Sequence, residues 1–173
     1  MKRSFVITAL LMAGFFAGYA QKGEYVIDER SNFMDRVYFG GGLGFSANSY
    51  GTYVSLSPIV GYMFTNRFSA GVGATYQYFK RSNSDFSDNQ YGGLVFARMN
   101  LVKQFFAYGE YSFINYTVNI DGKRRTAYRL PLGIGYSQIL GPRSSVNVIA
   151  AYDVIYDETA FGSPWVFTMS FSL

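Results

Sequence analysis

The chain has 173 residues, enough for one domain, with 20% aromatic residues, 19 glycines and only 15% charged residues, against the roughly 25% of an ordinary soluble domain. It contains no cysteine and no histidine, which excludes disulfides, Cys/His metal sites and any mechanism that needs an imidazole or a thiolate. The formal charge is +4, but two of the cations, Lys2 and Arg3, sit at the extreme N-terminus and the rest are scattered, so no basic patch points to nucleic acid.

Residues 1–20 read as a secretory signal. Lys2-Arg3 is a charged start, Phe5 to Phe16 an apolar run, and Gly18-Tyr19-Ala20 a small-x-small cleavage site before Gln21. The apolar run is shorter than the roughly 20 residues that span a bilayer, and no cysteine follows it to take a lipid anchor. Residues 21–35 are polar, mixed in charge and aperiodic, a lead-in or a docking segment. Residues 36–173 form the expected domain.

From Arg36 onward the pattern has period two, the signature of strands with different surroundings on their two faces. In Arg36–Ser46, Val37, Phe39, Leu43 and Phe45 share one face, while Tyr38 and four small residues share the other. The glycine run also invites a phosphate-loop reading, but no helix pattern and no Gly-Lys-Ser/Thr ending follow it. Thr52–Phe64 places Val54, Leu56, Val60, Tyr62 and Phe64 together, with Pro58 marking a bulge or an unpaired position. Thr65-Asn66-Arg67 is a tight turn before Phe68–Tyr78. Lys80–Gln90 is the most polar stretch and a loop.

Tyr91–Leu101 follows, then a turn near Lys103 and a strand from Phe105 whose two faces are both bulky. Asp121-Gly122 is the pair that a type I′ hairpin wants. A strand from Tyr128 to Tyr136 leads to a turn at Leu140–Arg143, then Val146–Tyr156, a loop over Asp157–Ser163, and the closing stretch Ser163–Leu173. In that last strand Trp165, Phe167, Met169, Phe171 and Leu173 alternate with Val166, Thr168, Ser170 and Ser172.

Eight strands of about ten residues, short connections alternating with longer ones, suit an all-β, eight-stranded antiparallel up-and-down transmembrane barrel with both termini periplasmic. The alternative is a soluble barrel with a water-facing exterior. Two features favour the membrane form. The outward positions of the strand bodies carry no charge, whereas Arg98, Glu110, Arg129 and Asp153 are in phase with the interior. Aromatics also fall in two bands. Phe39, Tyr62, Phe64, Phe68, Phe105, Tyr136 and Phe171 lie near the short turns, and Tyr76, Tyr78, Tyr91, Tyr128, Tyr152, Tyr156 and Trp165 near the long loops. Such girdles flanking an aliphatic belt belong to a membrane interface.

The signal segment, the eight alternating strands, the glycine-rich first strand and the ending Phe171-Ser172-Leu173 together resemble the small outer-membrane barrels of the OmpA/OmpX kind. The Tyr/Gly-rich style is similar to barrels of Bacteroidota. The resemblance implies residence in a Gram-negative outer membrane and contact with its lipid. It also implies that Trp165, Phe167, Met169, Phe171 and Leu173 are read by the barrel-assembly machinery; members usually end on Phe, whereas this chain ends on Leu173.

For the interior, a hairpin symmetric about Gly141 puts Arg129 opposite Asp153, and Arg98 and Glu110 form a diagonal pair across the Lys103 turn. Both are expected as structural ion pairs in a filled lumen, with a gate or proton path as the functional alternative. Ser82, Ser84, Asp85, Asp88, Asp157 and Glu158 in the loops have no base to activate a serine and no calcium-loop spacing. The expectation is therefore no enzyme, no cofactor and no metal. The role is a structural barrel, with a subunit of a larger outer-membrane complex or a narrow pore for small solutes as alternatives.

Overall fold

The computed structural model describes residues 31–48, 51–82, 87–117, 123–141, 144–158, 160–161 and 163–173. The signal segment, the lead-in through Arg30, the Asp121-Gly122 turn, and Ser84, Asp85, Pro142 and Arg143 lie outside the described residues, as does the side chain of Phe45.

Alternating aromatic, β-branched and small residues give strands, because bulky side chains pack well on a pleated surface and helices gain nothing from period two. The strands are β1 (Val37–Asn48), β2 (Gly51–Met63), β3 (Phe68–Arg81), β4 (Ser87–Val102), β5 (Phe105–Thr117), β6a (Arg124–Arg129), β6b (Pro131–Ile139), β7 (Ser145–Asp153) and β8 (Trp165–Ser172). Segments β6a and β6b are one strand interrupted at Leu130. Both pair with β5 in a single register, Ser112↔Arg129 on one side of the break and Gly109↔Leu132 on the other. Counted so, the barrel has eight strands, each antiparallel to its neighbours in sequence, and it closes where β8 meets β1.

Among the described side chains the expected phase holds in the strand bodies except past Asp153, where Ile155, expected inward, is 44% exposed. The expected loop Lys80–Gln90 is strand as far as Arg81 and again from Ser87. Leu43 is 76% exposed and Phe167 75%, whereas Phe106 and Asp153 are 1% exposed. Val60, Val72 and Val95 stand side by side across β2, β3 and β4 on the outer face. Buried residues on the inner face are Phe96, Phe106, Ile114, Ala127, Ile149 and Ala151, accompanied by Ser69, Ser137, Asn147 and Asp153. Inner glycines make room for the large rings. A Cβ on Gly135 would overlap the ring of Phe106, so the small residues and the bulky ones of β5 are two halves of one packing solution.

Several local departures have physical causes. The β2–β3 ladder skips Ser57 and Pro58 without changing register, because Pro58 has no N–H to give. At the β4–β5 turn the register slips by one residue between Asn100 and Val102, and Lys103 takes a positive φ of 48°. Strand β7 stops at Asp153, three residues short of the expected Tyr156, and Val154-Ile155 turns away. Residues Phe33–Arg36, at the end of the lead-in, form one 3-10 turn in which the Asp35 carboxylate accepts the N–H of Asn32. Phe33 stacks on Tyr62 at 5.1 Å between ring centroids.

The closure is the shortest ladder in the barrel. Strand β1 is paired with β2 from Val37↔Tyr62 to Asn48↔Gly51, and β8 with β7 from Ser145↔Ser172 to Tyr152↔Trp165. Between β1 and β8 the register covers Gly40↔Ser172 and Gly41↔Phe171. Phe39 and Leu173 add reciprocal backbone bonds of 3.1 and 2.7 Å.

Candidate functional site: the lumen

Among the described residues two cavities lie in the interior. The larger, about 390 Å³, lies on the long-loop side of Arg98 and is lined by Tyr53, Ser55, Gln77, Glu110 and Ile149 among others. The smaller, about 190 Å³, lies at the short-turn end among Arg67, Asn100, Lys103 and Gln104. Tyr38, Arg98 and Ser172 line both. The expected filled lumen is thus filled in its middle and hollow on either side.

Arg98 on β4 is the centre of that plug. Its Nη1 donates to Asn147 Oδ1 on β7 at 3.0 Å, across the barrel, and its Nε donates to Asn100 Oδ1 at 3.4 Å. Its guanidinium lies 3.8 Å from the centroid of Phe106, a cation over the negative face of a ring. Asn147 in turn donates to Ser172 Oγ at 3.3 Å, and Ser172 shares a 2.6 Å hydroxyl contact with Ser145. Tyr38 and Ser69 join hydroxyls at 3.2 Å.

The expected Arg98–Glu110 ion pair does not form. In the β4–β5 register Arg98 lies opposite Tyr108, and Glu110 lies opposite Phe96. The Tyr108 hydroxyl donates to Glu110 Oε2 at 2.7 Å, while Arg98 is drawn away to Asn147 and the Phe106 ring. The diagonal spacing allowed a contact, but stacking and an amide acceptor across the lumen satisfy the guanidinium instead.

Arg129 and Asp153 do meet, with Arg129 Nε 2.8 Å from Asp153 Oδ2. The register, however, places Pro131 opposite Asp153, so the pair spans an offset of two residues. Asp153 does more than hold a charge. Its Oδ1 accepts the N–H of Leu130 at 2.8 Å and that of Ile155 at 3.3 Å. Leu130 lies at the break in the sixth strand, next to a proline that donates nothing. A buried carboxylate with three donors is a stable arrangement. Arg129 also carries the Phe161 ring 4.1 Å from its guanidinium and donates to the Ser163 carbonyl at 3.3 Å. The last loop is tied into the barrel mouth through this residue. The Leu130-Pro131 dipeptide was the available signal for the break.

On the outer face the aromatics of the short-turn band touch one another. Tyr62 packs edge-on to Phe64 at 5.1 Å, Phe64 lies 5.7 Å from Phe68, and Phe105 is 5.4 Å from Tyr136. In the other band Tyr111 stacks on Tyr128 at 6.0 Å and Tyr152 meets Trp165 edge-on at 5.3 Å. Tyr91 and Phe171 are exposed and Tyr78 half-buried. Tyr156 lies beyond the end of β7, and its hydroxyl donates to the Phe161 carbonyl at 2.8 Å. Phe167 and Met169 stand exposed along β8, as does Leu173 just beyond its end.

Among the described residues no group of three or more Asp and Glu gathers to hold a metal ion. Every buried side-chain nitrogen or oxygen among them has a hydrogen-bond partner. No protein-family model matches the chain, and no curated protein matches it.

Proposed function

We propose that the protein is an integral outer-membrane barrel of structural role, exported by its N-terminal segment and inserted by the barrel-assembly machinery through its last strand. One observation carries this reading: the polarity of the barrel is inverted. Val60, Val72, Val95, Leu132, Val148 and Met169 are exposed around the waist, while Arg98, Glu110, Arg129 and Asp153 point inward. A water-soluble barrel would expose such an apolar belt at great cost, whereas hydrocarbon accepts it. Lys80 on β3 and Arg124 and Arg125 on β6a, all exposed, stand at the long-loop end, outside the belt.

The plug at Arg98, Phe106 and Tyr38 supports a scaffold over an open pore. The absence of His and Cys from the sequence supports a non-enzymatic role. The test is heat-modifiable gel migration of the membrane fraction, with extraction by carbonate. A faster-migrating unheated form that stays in the pellet is expected, and a soluble protein with no shift would overturn the reading.

A second reading, a subunit of a larger outer-membrane complex, draws on Phe33 and Met34. Both are 66% exposed, and Phe33 stacks on Tyr62 at the short-turn end, an apolar knob where the lead-in joins the barrel. Copurification from native membranes with a stoichiometric partner, lost on Phe33→Ser, supports that reading.

A further inference from the structure

We propose that the seam between β1 and β8 is a lateral portal, through which a single-chain zwitterionic amphiphile reaches the larger cavity and places its head group between Arg98 and Glu110. The inference rests on the outer-membrane reading above.

The backbone makes the first part of the case. Phe39 and Leu173 direct both their N–H and C=O groups at each other, so by the two-residue repeat Leu43, Phe45 and Ala47 on β1 direct theirs at the same gap. Met169, Phe167 and Trp165 do so from β8. The paired register stops at Gly41↔Phe171. Unsatisfied backbone groups facing hydrocarbon cost several kcal/mol each, and such backbone is tolerated at membrane depth only where it lines a polar space. The seam does line one. The larger cavity is bounded by Leu43 and Gly44 of β1 and by Phe167 and Met169 of β8, as well as by Glu110 on the opposite wall. Residues that point outward and residues that point inward border a single space.

Chemistry selects the occupant. The rim at Leu43, Phe167 and Met169 is apolar, which suits a hydrocarbon chain. Inside, among the described residues, Arg98 is the only cation and Glu110 the only anion lining the cavity. Among the described residues neither forms an ion pair; both bond to neutral groups. A head group with one charge of each sign complements both, whereas a neutral lipid leaves them unanswered. Next to the paired register the two strands are still close, a Cβ on Gly42 standing 3.2 Å from the Met169 carbonyl oxygen, so the portal lies beyond this point, between Phe45 and Phe167.

The probe is lysophosphatidylethanolamine, titrated into the full chain in nanodiscs. The variant Leu43→Cys/Met169→Cys joins the residues that face each other when the Gly41↔Phe171 register is continued, and the chain has no other cysteine. Saturable binding is expected for the wild type and the reduced variant, with an affinity loss of at least about tenfold after oxidation. Glu110→Gln keeps an acceptor for Tyr108 and removes the charge, and about a tenfold loss is expected there too. Absence of saturable binding, or equal binding by the locked and unlocked forms, overturns the portal. Unchanged affinity in Glu110→Gln overturns the head-group assignment. Heat-modifiable migration of the same samples separates the two levels: a protein with no folded-barrel shift fails the outer-membrane reading, and an intact barrel without binding fails the portal alone.

Discussion

Asp153 holds Arg129 across an offset of two residues, and the same carboxylate takes the N–H that Leu130 withdraws from its strand. The ion pair and the strand break are therefore one device. Asp153 has no exposed side-chain surface, whereas Arg129 retains 22%, and this asymmetry sets the order of the mutational effects. Asp153→Ala removes the ion pair and orphans two backbone donors, and should destabilise the barrel by about 3–5 kcal/mol. Arg129→Ala leaves the carboxylate two donors and should lose about 1–3 kcal/mol. Urea unfolding followed by the fluorescence of Trp165, the only tryptophan, measures both. Equal losses would sink the view that Asp153 organises the break.

Arg98 is coupled to Asn147 rather than to Glu110. Double-mutant cycles should return a coupling of about 1 kcal/mol or more for Arg98→Met with Asn147→Ala, and a smaller one for Arg98→Met with Glu110→Gln. Reversal of that order would restore the ion pair that spacing alone suggested.

Packing of β5 against β6b gives a test without charges. Gly135→Ala drives a methyl group into the Phe106 ring and should destabilise by about 1–3 kcal/mol, as overpacked cores do. Phe106→Leu introduced into that background should recover part of the loss, seen as a rise in the urea midpoint. A neutral Gly135→Ala would mean that the ring moves freely.

Lys103 occupies the left-handed region in the turn between β4 and β5. Lys103→Gly should be neutral or stabilising by up to about 1 kcal/mol, and Lys103→Val destabilising by about 1–2 kcal/mol, since a β-branched residue resists positive φ. Thermal or urea midpoints in one detergent suffice, and equal midpoints for the two variants would contradict the turn geometry.

The exterior supplies the test of surroundings. Val72→Arg at the waist should cost about 2–4 kcal/mol in a bilayer, while Tyr78→Arg near the long-loop end should cost about 0–1 kcal/mol. Refolding into liposomes, compared by urea titration, reads the difference. Two equal and small losses would place both positions in water.

Much of this was legible in the sequence, and the reason is geometric. Period two needs no knowledge of partners, so the inward and outward faces of Val54 to Val60, Phe68 to Tyr78 and Val146 to Tyr152 follow from the order of residues alone. Register is a different quantity. It depends on how many residues a turn consumes. The symmetric hairpin about Gly141 misplaced Asp153 by two positions while still finding its partner, because an arginine side chain is long enough to bridge the offset. The Arg98–Glu110 expectation failed for a related reason. Spacing gives the pairs that can touch, but not the competing amide of Asn147, which comes from a strand far away in sequence. The break at Leu130 is signalled by Pro131 but masked by the alternation that continues through it. The hollow on either side of the plug has no one-dimensional signature at all.

The brevity of the ladder that joins Phe39 to Leu173 also bears on how the molecule comes into being. The other seven junctions unite neighbours in sequence and can zip as each hairpin arrives. This one must bring together the two ends of the domain, and chain entropy opposes it most. Closure should thus be the last event of folding and the first to be undone. Amide exchange should be fastest at Leu43 and Phe45 and at Phe167 and Met169, beyond the last closing pair Gly41↔Phe171, so that the barrel's lifetime is timed at its seam rather than in its core.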